Sequence, residues 1–382
     1  MQDQYILLTG GKNNAGDFLI KYKAKRLFHL HRPDRKILDW DGWKPLTDEQ
    51  VEVVNNSRAL ILTGGPSMQS NMYPGVYPLV QDLDRIKVPI LTMGVGYKEE
   101  SGLWQNTGAY VFSEGSNALL RKINSSGLAS SVRDYHTLNV LLSKKLTSFT
   151  MTGCPALYEP DQIGTSIHKP DSYQTIAFSL GVSYLKSKGM FYQMKSLLEL
   201  LRKRYSSSKL TVYFHHKISP DQPLQNEWIN WLNERSIPFE DISGSEERMV
   251  EVYGSCDIHV GYRVHAHVHA SSMGRPSILI NEDSRGKGFY TVMGGMILDG
   301  YLVLPRFNRP DASLMYKSMG AVKKLYSLLN IESGLESYSG IPEDVLQQME
   351  YERANDFPRT RMVRSNIDIH YEEMKRFLKS LP

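Results

Sequence analysis

Four apolar runs in the first part of the chain, YILLTGG, ALILTGG, PILTMGVG and FTMTGCP, each end in a glycine turn. Amphipathic stretches lie between them, among them DFLIKYKAKRLFHLH, TDEQVEVVNNS and YHTLNVLLSKKL. Strand and helix alternating at this spacing force right-handed βαβ units and a parallel sheet. In such a sheet the ligand sits beyond the carboxyl ends of the strands, where glycine lets the backbone approach it. The repeated Thr-Gly edge is therefore expected to be the floor of a site, with four such edges on one sheet.

The linker-like stretch EPDQIGTSIHKPDSY separates this series from a second one. Its strands read QTIAFSLG, KLTVYFHH, CDIHVGY and PSILIN, and its helices MFYQMKSLLELLRKRY, LQNEWINWLNERS and SEERMVEVYGSC, the last capped by Ser245. A chain of 382 residues exceeds what one core usually fills. The fold class expected is α/β, with two doubly wound, Rossmann-like parallel-sheet domains facing a cleft. The first covers 1–160, the second 172–330, and a helical tail over 331–382 packs on the outside.

Composition narrows the function classes. The net charge of +4 is slight, and the basic residues are scattered rather than gathered into a nucleic-acid arm. No run approaches the length of a membrane span, and the N-terminus has no basic region ahead of its short apolar run. Two cysteines, Cys154 and Cys256, fit small buried residues in a reducing compartment better than a disulfide. A cytoplasmic protein is expected, with no nucleic-acid partner and peripheral membrane contact left open.

Several loops are candidate binding elements. GGKNNAGD follows the first strand and opens a helix, so Gly11, Asn13, Asn14 and Asp17 are placed to meet a phosphate or a sugar hydroxyl. It is not a P-loop, because Lys12 is followed by Asn13 and no Gly-Lys-Ser/Thr occurs. Asp17 reads either as a helix-terminal carboxylate or as a base. Gly64, Gly65 and Gly94 belong to the next two edges, and SSVRDYHT puts Arg133 and Asp134 between a strand and a helix. Trp40, Trp43 and Trp104 serve either as sugar platforms or as core.

The stretch CDIHVGYRVHAHVHASSMGRP spaces three histidines, His265, His267 and His269, at alternate positions. On a strand they would converge as metal ligands, but RVHAHVHASSM reads as a helix, which turns His267 away from the other two. No metal site is expected. His267 and His269 read as ordinary helix packing. Arg263 and His265 fall in the first turn, where the dipole favours an anion, an arginine fork clamps one and a histidine serves as general acid. Held near that anion, His265 is expected to stay protonated. In NEDSRGKG, Arg285 and Lys287 are expected in a flexible loop, as further anion contacts or as a solvated charged segment.

Taken in order, GGKNNAGD, LTGGPS, PILTMGVG, SVRDYHT, TGCPAL, YRVHAH and GRPSILINEDSRGKG make the chain, from Gly10 to about Gly288, resemble the polysaccharide pyruvyl transferases. The resemblance implies two domains similar to the glycosyltransferase B type. It also implies transfer of a pyruvyl group from phosphoenolpyruvate to a sugar as a ketal, with no further cofactor. By that likeness Arg263 and His265, as the Arg-x-His pair, and the earlier Arg133 hold the donor, while the acceptor is a saccharide, lipid-linked, nucleotide-linked or polymeric. A nucleotide-sugar glycosyltransferase and a non-catalytic sugar-binding regulator are the alternatives from other classes.

Overall fold

The computed structural model describes residues 2–11, 14–99, 101–185, 187–303 and 335–382. The apolar runs become strands whose residues are almost all buried, as parallel strands covered on both faces must be. The first sheet has the order β2-β1-β3-β4, built from β1 (Gln4–Thr9), β2 (Lys36–Asp41), β3 (Ala59–Thr63) and β4 (Ile90–Met93), all parallel. The chain runs from β1 to β2 on one side and then returns to β3 on the other. The crevice between the ends of β1 and β3 is thus the switch point.

The fourth glycine edge does not lie on that sheet. β5 (Ser130–Val132) and β6 (Phe149–Met151) form a separate parallel pair, joined to the first sheet through the Val95–Val132 bridge. The cause is local. The hydroxyls of Ser130 and Ser131 accept from the Thr92 and Gly94 N–H groups at 3.2 and 3.0 Å, taking donors that a backbone ladder would have used.

The second sheet has the order β12-β11-β10-β7-β8-β9, again parallel throughout. Its strands are β7 (Thr175–Ser179), β8 (Lys209–Phe214), β9 (Phe239–Asp241), β10 (Ile258–Gly261), β11 (Ser277–Asn281) and β12 (Ile297–Asp299). Growth from β7 to β9 reverses at β10, so the switch point lies between β7 and β10. The edge strands β2, β9 and β12 were not foreseen, since KILDWD, FED and ILD carry too much charge to read as strands. A two-stranded antiparallel ribbon joins β13 (Tyr301–Val303) to β14 (Leu335–Ser337). The expected boundary at 330/331 lies outside the described residues.

The helices follow the amphipathic stretches: α1 (Ala15–His31), α2 (Asp48–Asn55), α3 (Glu114–Ser125), α4 (Tyr135–Leu142), α5 (Lys188–Arg204), α6 (Pro223–Glu234), α7 (Glu246–Ser255), α8 (Val264–Ser272), α9 (Ser284–Met293), α10 (Ile341–Ala354) and α11 (Pro358–Ser380). The NEDSRGKG segment is not a flexible loop, because it forms the first turn of α9. Asp283 caps that helix by accepting from the Arg285 N–H, and its glycines are kept for space. Gly286 faces Asn281 and Gly288 faces Asp134.

The two sheets are held together by α1, which packs on α7 and α8, and by α11, which packs on α1, α8 and α9. One apolar cluster runs through Leu19 and Ala24 of α1, Met249 of α7, Ala266 of α8 and Ile367 of α11. Within this seam the Lys23 ammonium is fully buried and paired with Glu159, which also pairs with Arg26. Burial pushes the Lys23 pKa down, and Glu159 works against that. Removing the carboxylate leaves a buried charge unpaired. Glu159→Ala should therefore cost about 3–5 kcal/mol in a denaturant titration, and Lys23→Met in the same chain should recover most of it. A loss under about 1 kcal/mol for Glu159→Ala would contradict this role.

Candidate active site

The two switch points meet. Asn14 caps α1 beyond β1, its Oδ1 accepting from the Gly16 N–H at 3.3 Å. The same oxygen accepts from the Arg263 guanidinium at 3.3 Å. Arg263 stands beyond β10 as the N-cap residue of α8, with its backbone N–H donating to Ser179 Oγ of β7 at 3.1 Å. The imidazole of His265, in the first turn of α8, lies where a Cβ on Gly16 would be. Only a glycine at this position of α1 admits the ring.

Four helix N-termini surround this gap. Phe289 and Gly288 of α9 pack against Arg133 and Asp134 at the head of α4, with the Arg133 guanidinium 5.1 Å from the Phe289 ring centre. Three of these helices have a side-chain cap: Asn14 on α1, Asp134 on α4 and Asp283 on α9. α8 has none. An α-helix leaves its first N–H groups without intrahelical partners, so this end is the one that a ligand can cap.

The cations are paired in the same unequal way. Arg133 bonds Asp134 at 3.0 Å and Arg285 bonds Asp283 at 2.8 Å. Arg263, buried to 5% exposure, has no carboxylate at ion-pair distance among the described residues; its other partner is His216 Nε2 at 3.0 Å. Burial works against its charge, and the carboxylate of Glu282 most supports it. His265 Nε2 and Arg133 NH1 are buried without a partner. Buried polar atoms are nearly always satisfied. Two orphans and an uncompensated guanidinium around one uncapped helix define a seat for an anion.

His265 is neutral in the free site. Burial, then Arg133, Arg285 and Arg263, hold its pKa well below the ordinary imidazole value. The expectation of a protonated His265 concerns the anion-bound site; in the empty one, burial first and then three guanidiniums disfavour the proton. The other two histidines of the triplet go elsewhere. His267 Nδ1 meets Ser277 Oγ at 2.7 Å, and His269 meets the Val250 carbonyl and Ser272 Oγ, each at 3.3 Å. Burial holds both at about 3. Among the described residues, no three His, Cys, Asp or Glu side chains are grouped to hold a metal.

On the first-sheet side a hollow of about 150 Å³ opens between the ends of β1 and β3, lined by Thr9, Gly11, Asp17, Thr63, Gly64 and Gly65 among others. Gly64 and Gly65 have φ of +56° and +69°, so they turn the chain where a side chain would be strained. A smaller adjoining hollow is lined by Asp17, Lys21, Asp41 and Trp43. Asp17 forms a wall of both, and burial pushes its pKa up against the opposing pull of Arg285, Asn14 and Arg263.

Most residues singled out from the sequence come together here: Gly11, Asn14, Asp17, Gly64 and Gly65 on one side, with Arg133, Arg263, His265 and Arg285 on the other. Asn13 lies outside the described residues. Gly94 lines neither hollow, since it faces Pro155 and the Gly153 carbonyl. Lys287, two residues after Arg285 on α9, pairs with Asp299 at 3.1 Å and sits over the Tyr301 ring, so it does not join the cluster. Trp40 is packed on the core, and Trp104, half exposed, stands edge-on to His136. Sequence reasoning missed His216 and Glu282. Glu282 directly follows β11 and His216 lies two residues after β8, positions at a strand's carboxyl end that the strand pattern alone could have marked.

The fold is a two-domain α/β fold with parallel sheets, and the arginine cluster lies where their switch points meet. The family model for polysaccharide pyruvyl transferase matches residues 14–284, and the chain belongs to that family and is a transferase. No curated protein matches it in sequence. Among solved structures, a S. aureus MnaA–UDP co-structure is similar at 13% identity with a TM-score of 0.46, covering 92% of this chain and 96% of that one. UDP-GlcNAc 2-epimerase from Neisseria meningitidis bound to UDP-GlcNAc is similar at 12% identity and a TM-score of 0.44, covering 92% and 100%.

The close approach of α1 and α8 gives a direct check. Gly16→Ala should gain close to 1 kcal/mol of helix propensity yet lower stability by a net 1–3 kcal/mol, because the methyl must displace the His265 ring. A stabilised variant in chemical unfolding would show that the ring does not occupy this space.

Proposed function

We propose that this transferase moves the pyruvyl group of phosphoenolpyruvate onto two hydroxyls of one sugar, as a ketal. The observation that carries the reading is the uncapped N-terminus of α8 with the uncompensated Arg263 beside the orphaned His265 Nε2 and Arg133 NH1. Phosphoenolpyruvate brings a carboxylate and a phosphate on a small frame, which suits a compact cluster of guanidiniums around a helix end. The donor then lies against the 172–330 side and the saccharide against the 1–160 side, in the hollows walled by Asp17. We assign no step to a metal or to a further cofactor.

Protonation of the methylene carbon by His265 leaves an oxocarbenium centre at the neighbouring carbon, and one sugar hydroxyl adds there as its proton passes to a base. Asp17 is the carboxylate placed for that role, its raised pKa suiting a base that works near neutrality. Inorganic phosphate leaves with the C–O bond pair, the oxocarbenium re-forms, and the second hydroxyl closes the ring. One hydroxyl proton replaces the one given to carbon, and the other leaves with the phosphate. Arg263, Arg133 and Arg285 stabilise the moving charge, and fixed electrostatics of this kind usually supply the largest share of catalysis.

The proton on His265 arrives with the donor. The anion cancels the guanidinium field and raises the imidazole pKa, so binding takes up a proton. Donor affinity should rise as pH falls, through a window that opens at the bound-state pKa and closes at the lower value of the free site. Calorimetric titration of phosphoenolpyruvate in buffers of different ionisation enthalpy should show this uptake in the wild type and its loss in His265→Ala. His216, held down to about 4 by partial burial, Arg263 and Arg285, faces the same charge, so equal uptake in both proteins would move the assignment to it.

Two substitutions separate binding from chemistry. Arg263→Lys keeps a charge but loses the fork, and donor binding should weaken by about 1.5–3 kcal/mol. His265→Ala should keep most donor affinity and lose roughly 10²–10⁴-fold in single-turnover rate, read as a pyruvate ketal on the saccharide by mass spectrometry. Wild-type turnover by His265→Ala, or unchanged binding by Arg263→Lys, would defeat the scheme. A nucleotide sugar that protects the fold from heat where phosphoenolpyruvate does not would favour the glycosyltransferase reading instead.

A further inference from the structure

Glu282 is an acidic residue beside the seat that the reaction scheme does not use. It follows β11, and in the sheet order β11-β10-β7 its carboxylate reaches past the end of β10 to the loop after β7. There Oε2 accepts from the Val182 and Ser183 N–H groups at 2.7 and 2.5 Å. Gly181 has no room for a Cβ because that carboxylate fills the space. The other oxygen, Oε1, is buried and has no partner. A carboxylate tied at one oxygen and free at the other thus lies across the strand end from which Arg263 emerges.

The seat has two kinds of negative charge near it. Asp134 and Asp283 are paired with Arg133 and Arg285 in direct contact. Glu282 makes no ion pair among the described residues, yet its charge is the one that most supports Arg263. Two backbone N–H groups hold one of its oxygens at the loop after β7, apart from the guanidinium. Its charge acts on whatever anion binds there.

We propose that Glu282 is a fixed counter-anion of the donor seat, which keeps the buried Arg263 tolerable when the seat is empty and weakens the hold on anions so that phosphate can leave. This rests on the donor reading above, and it adds a residue that sets affinity and release rather than one that touches the reacting atoms. It follows that the native seat binds its anions less tightly than its guanidiniums alone would.

The test is calorimetry of inorganic phosphate and of phosphoenolpyruvate with the whole chain. Glu282→Gln keeps an oxygen for the two N–H groups and removes the charge. Both anions should then bind tighter, by roughly 3- to 10-fold for one partly screened unit charge. kcat and KM should fall together as phosphate release slows. A merely structural role would instead raise KM and weaken both anions. Glu282→Ala is a second variant, since it removes the same charge without leaving a polar group in its place, and phosphate should again tighten. If the wild type binds both anions and neither variant tightens them, the counter-anion role is overturned and the donor reading stands. If the wild type binds neither, the donor reading fails and takes this proposal with it.

Discussion

The structure turns on a guanidinium buried at the start of a helix. A charge taken out of water costs several kcal/mol unless it is compensated, and among the described residues Arg263 is met at contact distance only by neutral groups, Asn14 and His216. It stands there because the strand order leaves β10 at a switch point, where the chain must leave the sheet towards the cleft. α1 brings Asn14 to the same place from the other sheet. The contact that closes the gap between the sheets is therefore made by the residue with most to gain from an anion.

The surrounding charges are graded. Two arginines are neutralised by the neighbouring cap residues, one is not, and three of the four converging helices already carry a side-chain cap. Had all four been capped and all three arginines paired, the gap would be an ordinary polar seam. Had none been, three buried cations would repel one another across the seam between the sheets. His265 sits within this balance, its pKa lowered by burial and then by the three guanidiniums. In the proposed scheme, a bound anion offsets that field and lets the imidazole act as an acid.

Much of this was legible in the residues. Apolar runs closed by glycine located the buried strands of both sheets, and RVHAHVHASSM was correctly read as a helix, which separated Arg263 and His265 from the rest of the triplet. What escaped was decided by contacts between distant segments. Ser130 and Ser131 break a ladder that their neighbours would have formed, Asp283 starts α9 in a stretch whose glycines read as a loop, and Lys287 differs from Arg285 by pairing with Asp299. His265 was marked from the sequence as a general acid, but its lowered pKa follows from burial and then from three guanidiniums that only the fold brings near it. Glu282 could be marked by its place directly after β11, but not its partners, backbone N–H groups a hundred residues away.

The most direct measurement is a crystal structure of the protein with phosphoenolpyruvate bound. The account requires the ligand at the first turn of α8, its anionic groups against Arg263 and Arg133, and its methylene carbon facing His265 Nε2. Density for the ligand elsewhere, or an Arg263 still bonded only to Asn14 and His216 beside an empty seat at saturating phosphoenolpyruvate, would contradict it.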